Sequence, residues 1–181
     1  MTGLRYKAEL DRAMKYLGEL DNSLFVGQAV RVPGTAMSGT LENVDESKLI
    51  EFPVEEDLQM GYTIGLAMNG FLPISIFPRW NFLILATNQI VNHLDKLKEM
   101  MDVEIPPKVI IRTGIGAKNP MHPGPQHTGD YTEAFKIMAP NLEIIRLDEP
   151  ADIFPAYKKA ADRKDGVSTL IIEWGDFHAT K

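Results

Sequence analysis

The chain has 181 residues, 44% apolar and 24% charged, and its 19 Lys and Arg against 25 Asp and Glu leave a formal net charge of −6. That length suits a single domain over residues 1–181, able to bury roughly two thirds of its unfolded surface without a disulfide or metal staple. The acidic balance, with no basic cluster to meet phosphates, argues against a nucleic-acid partner. The absence of cysteine excludes disulfides, thiolate catalysis and Cys-based zinc or iron–sulfur sites.

Residues 4–20 place Leu4, Ala8, Met14, Leu17 and Leu20 at near-helical spacing among charges, which predicts an amphipathic helix. A short strand follows at 23–26, ended by Gly27. Residues 30–44 carry Pro33, Gly34 and Gly39 without periodicity and read as a long loop, a place where function often resides. A strand is expected at 49–52, broken by Pro53. Residues 55–69 read as a helix with an acidic first turn, stopped at Gly70. A strand is expected at 72–77. Asn81 is placed to cap one long helix over 82–101. Next come a strand at 109–112, a Gly/Pro-rich loop at 114–129, a short helix at 131–138 and a strand at 142–147. A helix around 152–162 and a strand at 168–174 complete the pattern.

Apolar strands alternating with helices predict an α/β fold: three αβα layers around a mainly parallel, twisted sheet. Ligands in such sheets bind at the carboxyl ends of the strands. The loop from Val30, the turn into the helix at Glu55 and the loop from Gly114 should therefore gather there. The opening segment lacks the apolar core of a signal peptide. The most apolar stretch, 71–91, is interrupted by Pro73, Pro78, Arg79, Asn81, Asn88 and Gln89 and cannot span a membrane. The cytoplasm is the expected compartment.

Several residues could carry chemistry. Gly114-Ile115-Gly116 follows a strand, but the third glycine of a dinucleotide fingerprint would fall at Asn119, with Pro120 next, so a Rossmann site is not expected. His122 and His127 have only Asp130 nearby as a third ligand, so no metal site is assigned. His127 is the better proton donor or substrate ligand, because histidine titrates near neutral pH. Glu55, Glu56 and Asp57 open a helix, where acids ordinarily complement the dipole. Glu56, however, leads into Gly61 and Gly65, and a carboxyl packed against so small a surface could be desolvated and proton-shifted. Trp80 and Phe82 follow a strand; such aromatics usually pack in a core, though one at a strand's end can also form a platform for a planar ring.

In this order these residues resemble the pyrimidine-binding domain of thiamine-diphosphate enzymes, above all the N-terminal domain of the beta subunit of 2-oxoacid dehydrogenases, and more distantly transketolase. The similar run starts at Phe52-Pro53-Val54-Glu55-Glu56 and continues through Gly61–Ile74, Trp80-Asn81-Phe82 and Asn88-Gln89-Ile90-Val91-Asn92. It extends to Val109–Gly114 and Gly124-Pro125-Gln126-His127-Thr128. The resemblance implies the thiamine-diphosphate-binding fold of pyrimidine type. It implies that Glu56 hydrogen-bonds the ring nitrogen of the cofactor's aminopyrimidine, favouring the imino tautomer that activates the thiazolium carbon. Phe82 would pack on that ring, with Trp80 beside it, and His127 would line the active centre.

The sequence also departs from the family. Gln28 and Ala29 stand where acids are usual after Gly27, and Asn88 replaces an Asp. No Gly-Asp-Gly with a later Asn is present: Gly129-Asp130 and Gly175-Asp176 lack the third glycine. The diphosphate-binding and C-terminal domains are therefore expected to be absent. The expectation is the pyrimidine-binding subunit of a two-component enzyme acting on a 2-oxo acid or ketose, such as a sugar phosphate, by decarboxylation or two-carbon transfer. A separate subunit would hold Mg²⁺ and the diphosphate, and the chain would self-associate as a dimer. The alternative is a non-catalytic regulatory or scaffolding subunit that retains the fold.

Overall fold

A computed structural model of the chain describes residues 2–104, 106–118 and 122–178. Asn119 and Pro120, the residues that interrupt the glycine fingerprint, lie outside these. Helix α1 (Thr2–Gly18) is followed by β1 (Ser23–Gly27), β2 (Leu49–Glu51), α2 (Glu56–Met68) and β3 (Leu72–Phe77). Then come α3 (Trp80–Leu83), α4 (Leu97–Met100), β4 (Ile110–Ile115), α5 (Thr132–Met138), β5 (Glu143–Arg146), α6 (Pro150–Asp162) and β6 (Thr169–Trp174). The six strands form one sheet in the order β2-β1-β3-β4-β6-β5, and every pairing is parallel. The expected three-layer α/β architecture is the one observed.

The layers follow from two apolar sets. Tyr6, Leu10, Ala13, Met14 and Leu17 recur at helical spacing on α1 and are fully buried, packing with Ile153, Tyr157 and Ala160 of α6 on one face of the sheet. Ala8, expected on the apolar face, is exposed, and the side chain of Leu4 lies outside what the structure describes. On the other face Met60 and Ile64 of α2, Trp80, Leu83 and Ile90, and Phe135 of α5 form the second core. β3 and β4 lie between these cores and are buried along their whole length, and the polar Ser75, Arg112 and Thr113 within them are buried with the rest.

Two expectations need correction. The segment expected as one helix over 82–101 is broken: α3 gives way to a 3₁₀ turn at Ile84–Ala86, a π turn at Gln89–Leu94 and then α4. Asp95 supplies the physical reason. Its side chain is buried and accepts from the Asn141 backbone N–H at 2.8 Å and from its amide at 3.2 Å, while its own N–H reaches back five residues to the Ile90 carbonyl at 2.8 Å. A wider turn is what brings that carboxylate inward. Asn81 is no cap; Arg79 occupies that position, with extended backbone and no side-chain cap. The second correction concerns Gly114, which lies within β4, paired with Glu173 of β6, rather than in the following loop. A Cβ there would stand 3.4 Å from His178 Cε1, so glycine lets that imidazole pack on the strand.

From β1 the chain turns outward to β2, and from β3 it turns the opposite way to β4. The carboxyl ends of β1 and β3 are thus a topological switch point, where loops diverge and leave a crevice.

Candidate active site

Glu56 is the first residue of α2 and enters at that crevice. It is only 4% exposed, and its Oε1 accepts a hydrogen bond from Gln28 Nε2 at 3.1 Å. Gln28 directly follows β1. One turn along α2, the buried Gln59 donates to Ser75 Oγ at 3.1 Å and to the Ile76 carbonyl at 3.0 Å. Thr63 donates to the Gln59 carbonyl at 2.7 Å and lies 3.1 Å from Ser75 Oγ. These polar contacts pin the start of α2 to β3 and so fix where Glu56 points.

Beside the switch point the loops after β1, β3, β4 and β6 enclose a cleft of about 430 Å³. Its walls include Thr35, Met37, Arg79, Phe82, Ala117 and His178. Arg79 Nη1 donates to the Gly116 carbonyl at 2.9 Å and to the His127 carbonyl at 3.2 Å, tying the loop after β3 to the loop after β4. The Phe82 and His127 rings lie against each other, tilted by 51° with centroids 5.6 Å apart. Around them Thr35 Oγ1, Asn81 Oδ1 and His127 Nδ1 are buried without a hydrogen-bond partner. Buried polar atoms are rarely left so.

The wall formed by His178 is held from below. His178 Nε2 lies 2.6 Å from Glu173 Oε2, and the same carboxylate accepts from Arg112 Nε at 2.5 Å and Nη2 at 3.0 Å and from the Tyr157 hydroxyl. All four residues are buried.

The structure thus brings Phe82 and His127 together and joins Glu56 to Gln28, while Glu56 is not part of the cleft wall. Trp80 is a correction. It has no exposed surface and packs 4.8 Å from the Phe135 ring and 6.3 Å from the Tyr131 ring. With no open face it cannot serve as a platform. Asp130, weighed with the histidines as a ligand, is instead committed to Thr132 N at 2.9 Å and Arg146 Nη1 at 3.1 Å. Among the described residues no three His, Asp or Glu side chains gather as a metal site, and no helix is long and apolar enough to cross a membrane. Arg79 and His178 were not singled out as site residues from the sequence. His178 had no local signal, since the 3₁₀ turn Gly175–Phe177 after β6 folds it back onto Glu173.

Residues 3–174 match the family described as the transketolase pyrimidine-binding domain. The chain is 28% identical over 171 residues to the 2-oxoisovalerate dehydrogenase subunit beta of Bacillus subtilis (strain 168), covering 92% of this chain and 51% of that one. It is 26% identical over 154 residues to the 3-methyl-2-oxobutanoate dehydrogenase subunit beta of Mycobacterium tuberculosis (strain ATCC 25618 / H37Rv), covering 81% and 42%. The chain therefore spans about half the length of the curated relatives it matches. Among solved structures, a transketolase from Campylobacter jejuni superposes with a TM-score of 0.67 at 16% identity, over 92% of this chain and 25% of that one. A split-gene transketolase, solved as an inactive beta4 tetramer, gives 0.60 at 17% identity, over 93% and 50%. At such identities the superpositions speak for the fold alone.

Proposed function

Because the chain belongs to the transketolase pyrimidine-binding domain family, we propose that it is the pyrimidine-binding subunit of a two-component thiamine-diphosphate enzyme that acts on a 2-oxo acid or a ketose. The observation that carries this reading is the buried Glu56 at the start of α2, held by Gln28 at the switch point.

The residues present fit an aminopyrimidine ring. Glu56 offers a carboxyl sheltered from water that can share a proton with a ring nitrogen. Phe82 is half-buried and has a face to pack on the ring. The His127 ring lies beside that of Phe82, where it can meet the substrate. When bound, thiamine diphosphate supplies a nucleophilic carbon that adds to the substrate carbonyl and takes up the electron pair released on C–C cleavage. Glu56 then holds the proton on the ring nitrogen, and His127 exchanges a proton with the substrate oxygen.

We assign the diphosphate and Mg²⁺ to a partner subunit. The names of the relatives, each a beta subunit, support that division of labour. We also assign self-association to the outer face of α2. Leu58, Tyr62 and Met68 are exposed there, and no charge occurs from Leu58 to Met68. A groove of about 370 Å³ beside them is lined by Gly61, Ile64, Met68, His93, Met100 and Met101. An uncharged face with glycines at its centre suits close approach of a second copy of itself.

The test is purification of the chain with its partner, a thiamine-diphosphate assay, and E56Q in that assembly. The expected result is a partner carrying Gly-Asp-Gly, bound cofactor, and loss of turnover in E56Q with unchanged melting. A bare oligomer without cofactor, or full activity in E56Q, overturns the catalytic reading and favours a scaffolding subunit.

A further inference from the structure

Gln28 can hold Glu56 only if the turn after β1 is itself fixed, and that turn is an unfavourable one. Ala29 has φ +53°, a left-handed conformation that an L-residue with a Cβ adopts at a cost. The four consecutive amides that follow Gln28 all point at one carboxylate. Glu51 Oε1 accepts from Ala29 N at 2.6 Å, and Oε2 accepts from Val30 N at 2.9 Å, Arg31 N at 2.8 Å and Val32 N at 3.3 Å. Glu51 ends β2, in register with Gly27 at the end of β1, so its side chain is launched from the adjacent strand directly beneath the turn. Successive amides curled in this way form a concavity for an anion, and here the chain fills it with its own carboxylate. Burial would push that carboxyl up, but the amides of Arg31, Ala29, Val32 and Val30 outweigh it and hold it below the usual carboxylate range. The clamp is therefore charged at neutral pH.

We propose that Glu51 is a positioning residue for Glu56: by clamping the amides of residues 29–32 it fixes the left-handed turn at Ala29 and so aims the Gln28 carboxamide at the Glu56 carboxylate. The role rests on the reading of Glu56 given above. A neutral glutamine at position 51 loses the charge, and its NH₂ group turns a donor toward donors. The turn is then free to relax, and Gln28 leaves Glu56. E51D keeps the charge on a shorter arm. A29G keeps the turn without its conformational cost, so E51Q/A29G should hold Gln28 better than E51Q does.

The test uses the full chain without cofactor or partner. Amide hydrogen exchange is measured at residues 29–32, and the Gln28 side-chain NH₂ resonances are followed by NMR in wild type, E51Q, E51D, E51Q/A29G and E56A. In E51Q the amides of 29–32 should exchange roughly tenfold faster or more, the factor expected for losing one charge-assisted hydrogen bond each. The Gln28 NH₂ resonances should move to where they stand in E56A, with exchange in β3 and β4 unchanged. E51D and E51Q/A29G should recover the wild-type Gln28 resonances in part. If E51Q speeds exchange but leaves the Gln28 resonances in place, Glu51 merely staples a loop and the proposal is overturned. Unchanged exchange overturns it as well.

In the assembled enzyme, E51Q and Q28A should lower kcat by a similar factor, and the double variant by no more than either. Additive losses contradict a single line of action from Glu51 through Gln28. The two ways of failing are distinct. The Gln28 readout can fail while E56Q still abolishes turnover, which removes the positioning role alone. If it succeeds while E56Q leaves turnover intact, the catalytic reading of Glu56 falls, and the positioning role with it.

Discussion

Replacing Glu173 by glutamine probes the ion pair beneath the cleft. Arg112 on β4 and Glu173 on β6 have no exposed surface, and the carboxylate gathers Arg112, Tyr157 and His178. Burial alone would push this carboxyl up. The Arg112 charge and the contacts with His178 outweigh that and hold it well below the usual carboxylate range. Glutamine preserves the shape and removes the charge, leaving a buried guanidinium whose Nη1 already lacks a partner. Breaking one side of such a pair costs about 3–5 kcal/mol. For a chain of this size that lowers the melting temperature by roughly 6–20 °C, at about 2–4 °C per kcal/mol. Urea unfolding followed by circular dichroism on E173Q, E173M, R112M and R112M/E173M measures it. The double variant strands no charge and should lose less than either single one.

Acid supplies a second reading. A carboxyl held below its unfolded value contributes stability above the ordinary carboxylate range and loses it as pH falls through that range toward the folded value. Wild type should therefore weaken in acid more steeply than E173Q. A cost for E173Q under about 1 kcal/mol, the level of an exposed pair, or a double variant equal to the sum of the singles, would refute the reasoning.

Three further outcomes follow from the geometry. Gly27→Ala would place a Cβ 2.5 Å from the Ile76 carbonyl oxygen, and should cost about 1–3 kcal/mol as overpacking; thermal melts with wild-type stability would contradict this. Lys108 caps the end of α6 by donating to the carbonyls of Ala161 and Arg163, both at 2.5 Å. Lys108→Met should lose about 1–2 kcal/mol, read as a shift in the urea midpoint with an unchanged slope. Met68→Glu puts a charge on the exposed, uncharged face of α2 and should abolish the self-association proposed for that face, read by light scattering, while its melting in dilute solution is little altered.

The sequence by itself determined the order and type of nearly every element. Helical stripes such as Leu10, Met14 and Leu17, apolar runs such as Leu72–Phe77, and punctuation such as Gly70, which takes φ +88°, are properties of neighbouring residues. Glu56 at the head of α2 was legible for the same reason. What local pattern could not supply was which strands lie side by side. The order β2-β1-β3-β4-β6-β5 sets Glu51 under the turn after β1, Gln28 against Glu56, and Glu173 against Arg112, partners separated by 22, 28 and 61 positions in the chain at their first contacts. The same long-range packing turned Trp80 into core and broke the segment after it, because Asp95 bonds Asn141, 46 residues away. Periodicity reports which face of an element is apolar; only the closed sheet decides which polar groups meet when those faces are buried, and that meeting makes the site.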